Sequence, residues 1–327
     1  MEQLPPAQML WGLINTHTVA RCLHVIADFG IADALGDRPV PVTELAASTG
    51  MNADALNRML RLLVAYGVFA YEPQGYLHTP ASQLLRSDHP QSLRSFARMI
   101  GMPVIWRGFT DLGHAARTGK PATDWAGLVA YFEGHPDEAS LFNQAMAGKS
   151  GAVIPAVVDA YDFSSYGVIA DIGGGRGHLL QAILKRVPTA SGILFDLPHV
   201  IADAANAASE RLRLSAGDFF RDPLPVADAY VLMEVIHDWA DDEARKILAA
   251  VRRVSSTHAR VLIVEALVSE SPGPHFGKML DIIMLAVTGG RERTPSEYET
   301  LLASEGFRLE RIIQTPSQYS VVEAVVV

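Results

Sequence analysis

The sequence predicts an α/β protein: a doubly wound sheet in its second half, preceded by a smaller, mostly helical N-terminal domain. Three observations carry this. From Val168 onward, short apolar strands alternate with helices through glycine turns, the rhythm of a parallel sheet covered by helices on both faces. Before Leu85, amphipathic helices are followed by two short alternating segments around a turn. The 327 residues suffice for two cores at about 100 to 200 residues per domain. With 49% hydrophobic and 19% charged residues the chain is globular rather than disordered.

From Met9 to Leu35 the sequence reads helical. Leu13, Val19, Leu23, Ile26, Ala27 and Ile31 recur near a 3.6-residue period, and Gly30 and Gly36 break it. Met9, Leu10, Trp11, Leu13 and Ile14 give its start a broad apolar surface suited to a second subunit, beside the plainer use of packing within one chain. Between Val42 and Leu85, Thr43 and Glu44 open one helix, Asn52 caps another that Gly67 ends, and two short segments flank Pro73-Gln74-Gly75. This is the pattern of a winged helix-turn-helix. Arg58 and Arg61 on the second helix raise a DNA-reading alternative, but residues 43–86 balance three arginines (58, 61, 86) against Glu44, Asp54 and Glu72. Structural or dimerising use of the same fold is expected instead. Helical pieces and Gly/Pro loops follow, and then a long helix from Leu141 with an interruption at Pro155.

In the second half, Val168–Ile172 is a strand, Gly173–Gly177 a turn, and a helix begins at His178. Gly192–Asp196 is the second strand, a helix runs to about Ala208, Arg213–Ala216 is the third strand, and Ala229–Ile236 the fourth. Asp241–Val254 is a helix leading to the strand Arg260–Glu265. Ligands of such sheets bind at the carboxyl ends of the strands. A dinucleotide fingerprint is absent: counted from Gly173 its third glycine falls on His178, and from Gly175 on Leu180. What stands there is Asp171-x-Gly173-x-Gly175-x-Gly177. The glycines let a ligand approach the backbone closely, and the carboxylate would repel a pyrophosphate but suits a cationic amine. Asp196 ends the next strand, 25 residues on, where a carboxylate accepts from two ribose hydroxyls; Leu197 follows it. Asp218 ends the third, able to accept from an adenine amino group while Phe219 covers the ring. Acids at three successive strand tips point to a nucleoside with an amino-acid tail, S-adenosyl-L-methionine.

Composition narrows the setting. Lys and Arg number 27 against 36 acids, net −9, so no global field draws the chain to nucleic acid or anionic lipid. Cys22 is the only cysteine, which excludes an intrachain disulfide or a cysteine metal framework and suits the cytoplasm. The opening MEQLPPAQML lacks a leader pattern, and no run of about 18 uncharged apolar residues occurs, so neither secretion nor membrane spanning is expected. His275, in a Gly-Pro loop, and His237 do not make a metal set on their own. Lys278 and Asp281 have the spacing of an i, i+3 ion pair.

The stretches VIADIGGGRGHLL, GILFDLPHVI, AGDFF, EVIHDWADDEA, RVLIVEALV and DIIMLAVTGGRERT, in this order, resemble the class I S-adenosylmethionine-dependent O-methyltransferases of the plant caffeate and bacterial hydroxyneurosporene/acetylserotonin type. The likeness runs along nearly the whole chain. It implies a Rossmann-like methyltransferase sheet with an N-terminal all-helical/winged-helix dimerisation domain. The division would be residues 1–95 for dimerisation, 96–150 for a helical linker forming the substrate pocket, and 151–327 for the cofactor-binding catalytic domain. It implies a homodimer with a small hydroxylated aromatic substrate of secondary metabolism, and the charge and hydropathy given above add the expectation of partnership with neither nucleic acid nor membrane. Residue by residue, it assigns Gly173 and its neighbours, Asp196, Asp218 and Phe219 to the cofactor and His237 to the catalytic base. Glu265 and Glu292 become the carboxylates flanking that base, and Met146 and Met284 the lining of the acceptor pocket. Where plant members carry a lysine at the cofactor's adenine side, this chain has Met233.

An ordinary imidazole is a weak partner for that chemistry. Moving a proton from a phenol of pKa about 10 to an imidazole of about 6.5 is uphill by about 5 kcal/mol. Either deprotonation accompanies attack, or Glu265 and Glu292 stabilise the imidazolium. Holding donor and acceptor in line supplies the rest. Same-fold alternatives are C- or N-methylation, or a cofactor-retaining decarboxylation or hydroxylation; a winged-helix transcription factor is the rival from another class.

Overall fold

The computed structural model describes residues 5–327; residues 1–4, the head of the stretch inspected for a leader and of the 1–95 domain, lie outside the described residues. The chain forms two units. One holds the residues up to Trp106 with Phe132–Lys149, the other Arg107–Tyr131 with Ser150–Val327, so the 96–150 segment is shared between them.

In the first unit the initial apolar stretch becomes α1 (Pro6–Asp28) and a short α2 (Ile31–Ala34), parted where Gly30 turns left-handed at φ 67°. Next come α3 (Val42–Thr49) and α4 (Ala53–Ala65), the latter capped as its spacing predicts, with the Asn52 side chain accepting the Ala55 N–H at 3.0 Å. β1 (Phe69–Glu72) and β2 (Gly75–His78) pair antiparallel around Pro73-Gln74. Ile26, Ile31, Leu45, Leu56, Leu60, Leu63, Phe69 and Tyr76 close a core between these elements. At the start of α1, Trp11, Leu13 and Ile14 stay 71%, 64% and 64% exposed. The helices α5 (Pro80–Gln83), α6 (Arg94–Ile100) and α7 (Pro103–Thr110) follow, then α8 (Leu112–Thr118), which belongs to the second unit, and α9 (Trp125–Glu133), which starts there. The long α10 (Pro136–Ala160) begins five residues before the expected start and keeps Pro155 inside it.

The second unit holds β3 (Val168–Ile172), α11 (His178–Arg186), β4 (Ser191–Asp196), α12 (Pro198–Asp203), β5 (Leu212–Ala216), β6 (Ala229–Met233), α13 (Asp241–Val254), β7 (Arg260–Glu265), α14 (Phe276–Val287), α15 (Pro295–Ser304), β8 (Phe307–Gln314) and β9 (Ser320–Val326). The sheet order is β5-β4-β3-β6-β7-β9-β8. Apolar residues of β3, β4, β6 and β7 are buried in two separate clusters, the signature of a sheet covered on both faces. In α13 the buried stripe Ala244, Ile247, Leu248 and Val251 faces the core, and acids in the first turn and arginines in the last complement the helix dipole.

Three expectations need correction. The sheet is mixed rather than parallel: β9 runs antiparallel to β7 and to β8, because the short link between β8 and β9 turns the chain back and leaves no room for a crossover. The helix expected to reach Ala208 breaks after Asp203 into a 3₁₀ turn at Ala205–Ala207. The fourth strand stops at Met233 instead of Ile236, because Glu234 adopts φ 55° and ends the extended run. Strand order reverses between β3 and β6, which opens a crevice at their carboxyl ends. Among the described residues no helix is long and apolar enough to cross a membrane.

Candidate active site

Of the acids read from the sequence, Asp171 lies one residue before the end of β3, Asp196 ends β4, and Asp218 comes two residues after the end of β5. Asp171, on β3, lies in register with Leu194 and Val231, and both its carboxylate oxygens are buried without a hydrogen-bond partner. Burial, and then the charge of Asp196, push it up to about 7. The glycine loop folds over it: Gly173, Gly175 and Gly177 take φ of 69°, 59° and 73°, and a Cβ on Gly174 would collide with the Asp171 carboxyl. A Cβ on Gly175 would meet only open space. Asp196 is fixed by two backbone donors, Gly175 N–H to Oδ2 at 2.8 Å and Leu197 N–H to Oδ1 at 2.7 Å, while burial raises its pKa. Leu197 stays exposed beside it.

Asp218 is held by its own turn. Oδ1 accepts the Phe220 N–H at 2.9 Å, and Arg221 lies 3.5 Å from Oδ2. Phe219 meets Phe220 and Trp239 edge-on, and its ring edge comes 3.8 Å from where a Gly173 Cβ would lie, so the third strand tip touches the glycine loop. Met233 ends β6 half-buried, paired with Val264. An unpartnered buried carboxylate under an open glycine cradle, with a second carboxylate one strand over, fits a ligand carrying a cationic amine and a ribose.

His237 does not directly follow its strand, as expected, but sits in a 3₁₀ turn, Ile236–Asp238, entered through Glu234. Its ring is buried and Nδ1 lies 2.6 Å from Glu292 Oε1, with Nε2 3.7 Å from Asp238 Oδ1. Glu265, at the tip of β7, acts on the backbone rather than the ring: its Oε1 accepts the His237 N–H at 2.9 Å, and its Oε2 accepts the Tyr298 hydroxyl. Burial alone would lower the imidazole, but Asp238, the hydrogen bond and charge of Glu292, and Glu265 outweigh it and hold His237 up at about 10. Burial, reinforced by the Glu292 charge and opposed by His237, raises Glu265 to about 7.

The segment 290–293 clasps this turn. Arg291 N–H donates to the His237 carbonyl at 2.8 Å, and a Cβ on Gly290 would overlap that same oxygen, so only glycine allows the approach. Arg293, 1% exposed, donates to the carbonyls of Ile236 (3.2 Å) and Trp239 (3.0 Å) and to Asp241 (2.8 Å). Asp281 accepts the Glu292 N–H at 3.0 Å, whereas Lys278 turns to the Ser271 and Gly273 carbonyls; the anticipated pairing of these two residues is replaced by these contacts. Met284 is buried on α14, and Met146 is half-buried on α10 in the other unit. Tyr298, Arg293 and Asp281 were missed as site residues. The only local signal for any of them was Arg293's place one residue after Glu292.

The sheet, its acidic tips and the carboxylate-backed imidazole suit a group-transfer site for a nucleoside with an amino-acid tail, and comparison with known proteins gives the class. A family model for an O-methyltransferase domain matches residues 109–308, and one for an O-methyltransferase dimerisation domain matches residues 11–88. The chain belongs to this O-methyltransferase family. It is 42% identical to a phenazine O-methyltransferase of Lysobacter antibioticus over 98% of this chain and 96% of the other. The SAH-bound methyltransferase of calicheamicin biosynthesis superimposes with a TM-score of 0.90 at 35% identity, covering 100% of each chain. Human N-acetylserotonin methyltransferase in complex with SAM does so at 0.89 and 28%, covering 99% of each. S-adenosylmethionine is therefore the cofactor.

Proposed function

We propose that this enzyme methylates an aromatic hydroxyl of a small secondary metabolite, with His237 receiving the acceptor's proton. The observation that carries this is the buried 2.6 Å contact between His237 Nδ1 and Glu292. When bound, S-adenosylmethionine supplies an electrophilic methyl group on a sulfonium. Asp171 receives the cationic amine, and the Gly173 and Gly175 backbone approaches the amino-acid tail. Asp196 keeps lone pairs for the ribose hydroxyls beyond its two N–H bonds. Leu197 and Phe219 offer apolar faces to adenine, Asp218 its amino-group acceptor, and Met233 an uncharged contact where plant members have lysine.

With Glu292 accepting from Nδ1–H, the lone pair of the imidazole resides on Nε2, which takes the acceptor's proton. A conjugate acid near 10 matches a phenol near 10, so transfer from the phenol to the neutral imidazole is nearly level, and the cost moves to the earlier step in which the resting imidazolium gives up its proton to solvent. Glu265 supports the turn through its backbone bond. Met146 and Met284 carry over from the resemblance as acceptor-lining residues, since thioethers adapt to flat rings. The exposed apolar start of α1, within the segment matched by the dimerisation family, supports a homodimer. A half-buried unpaired Cys22 suits the reducing cytoplasm.

The test is incubation with methyl-labelled S-adenosylmethionine and a panel of hydroxylated aromatics. A product heavier by one methylene, with the label on oxygen, supports the reading. Label on carbon or nitrogen, or loss of carbon dioxide without label, turns it to the same-fold alternatives.

A further inference from the structure

We infer that Tyr319 is a positioning residue for the base: its hydroxyl clamps the Glu234 carboxylate and so holds the left-handed backbone that swings the chain from β6 into the His237 turn. Among the described residues, Glu234 is the one non-glycine with positive φ, at 55°. L-residues with a side chain avoid this region, and an outlier at a site persists only when its surroundings hold it there. Glu234 is held through both its backbone and its side chain. Its N–H donates to the Val264 carbonyl at 3.1 Å, and its Oε1 accepts from the Tyr319 hydroxyl at 2.7 Å.

The residues after Glu234 show what the turn positions. Val235 Cγ2 lies 2.9 Å from where a Gly173 Cβ would be, so the turn rests against the glycine loop, and Ile236–Asp238 form the 3₁₀ turn that buries His237. Without the left-handed residue, alternation would carry β6 on to Ile236, the extent its apolar pattern predicts, and shift His237 off Glu292. Tyr319 is suited to the task. It is buried, its ring lies against Phe276, and its backbone is fixed by Ser317 Oγ, which accepts its N–H at 3.1 Å, and by Thr315 Oγ1, which donates to its carbonyl at 2.6 Å. The next residue, Ser320, is in register with Glu265. The residue just before the antiparallel strand β9 thus brings its hydroxyl to the residue just after β6. Burial and the Glu234 charge keep that hydroxyl un-ionised, hence a donor.

The inference rests on the reading of His237 as base for its kinetic consequence, but the geometry is testable separately. The variants are Tyr319→Phe, Glu234→Gly and the two combined. Glycine adopts the left-handed turn without a clamp. Expected for Tyr319→Phe is a kcat lower by tenfold or more, with the Kd for S-adenosylmethionine within twofold. The downfield proton resonance of the His237–Glu292 hydrogen bond should be displaced or broadened. In the Glu234→Gly background the same Phe change should cost less than twofold and leave the resonance at its Glu234→Gly position. An equal loss in both backgrounds, or an unaltered resonance and kcat in Tyr319→Phe, overturns the inference. If Tyr319→Phe does not fold, Glu234→Gly alone decides: a resonance as in the wild type supports the clamp, and its disappearance contradicts it. Should His237→Asn retain full activity, the base reading fails while the resonance still tests the clamp.

Discussion

Replacing Asp171 by Asn separates what this carboxylate does for the ligand from what it does to the fold. Burial and Asp196 raise it from 3.8 to about 7, the Leu180 backbone N–H opposing them only weakly, and neither oxygen has a partner at hydrogen-bond geometry. A carboxyl whose folded pKa exceeds its unfolded one binds more protons when folded, so its contribution to stability falls as pH rises from about 4 to about 7. A shift of about three units corresponds to about 4 kcal/mol lost at neutral pH. Asparagine removes the charge in nearly the same shape, and its own unpartnered amide returns about 1–3 kcal/mol of penalty. The ligand-free variant should therefore be more stable than the wild type by about 1–3 kcal/mol at pH 7. At roughly 2–4 °C per kcal/mol this is a rise of several degrees in Tm. Near pH 4 the gain should vanish, because the wild type is then protonated too. Loss of the charged partner for the amine should weaken S-adenosylmethionine roughly 10- to 100-fold, the worth of a charge-assisted hydrogen bond. Thermal melts across pH, with calorimetric titration of the cofactor, read both. A variant that is less stable at pH 7 and binds the cofactor normally would refute the reasoning.

Other consequences follow from the same geometry. If His237 is held near 10 by its carboxylates, kcat/KM for an ordinary phenol should climb with pH through neutrality, since the resting imidazolium must first lose its proton; Glu292→Gln should move that rising limb down by about 1–3 units and lower the plateau, measured by initial rates from pH 6 to 10. Gly290→Ala forces a methyl group onto the His237 carbonyl, so activity should fall at least 100-fold while cofactor affinity changes little; near-normal turnover would show that the clasp is slack. Sedimentation at micromolar concentration should give a dimer, and Leu13→Asp with Ile14→Asp should shift it to monomer; a monomeric wild type would contradict the role given to the apolar start of α1.

What was legible in the sequence is what local chemistry decides. Asp171, Asp196 and Asp218 could be put at or beside strand tips because each lies at the end of a short apolar run before a turn. Asn52 announced its cap, and α13 its buried stripe. The residues that escaped depend on partners distant along the chain. Arg293 reaches the His237 turn across more than 50 residues, and Tyr298 reaches Glu265 across 33. Asp281 looked like a surface ion-pair member because Lys278 was its nearest neighbour on the helix; its real partner, the Glu292 N–H, is brought to it by the fold. The end of β6 was overrun because Val235 and Ile236 continue the apolar pattern, and nothing in that pattern marks the one left-handed residue between Met233 and His237. The final hairpin was unread for a related reason: β8 and β9 take their direction from a short link and from pairing with β7.

The central claim, that His237 takes the proton of an aromatic hydroxyl, is tested most directly by comparing wild type with His237→Asn on a series of phenols of graded acidity, under single-turnover conditions with saturating S-adenosylmethionine. The account predicts that the variant's loss grows as the phenol becomes less acidic, from little for phenols already ionised at the assay pH to 100-fold or more for a phenol of pKa near 10. A loss of the same size for every phenol would mean that His237 only positions the acceptor, and would contradict the claim.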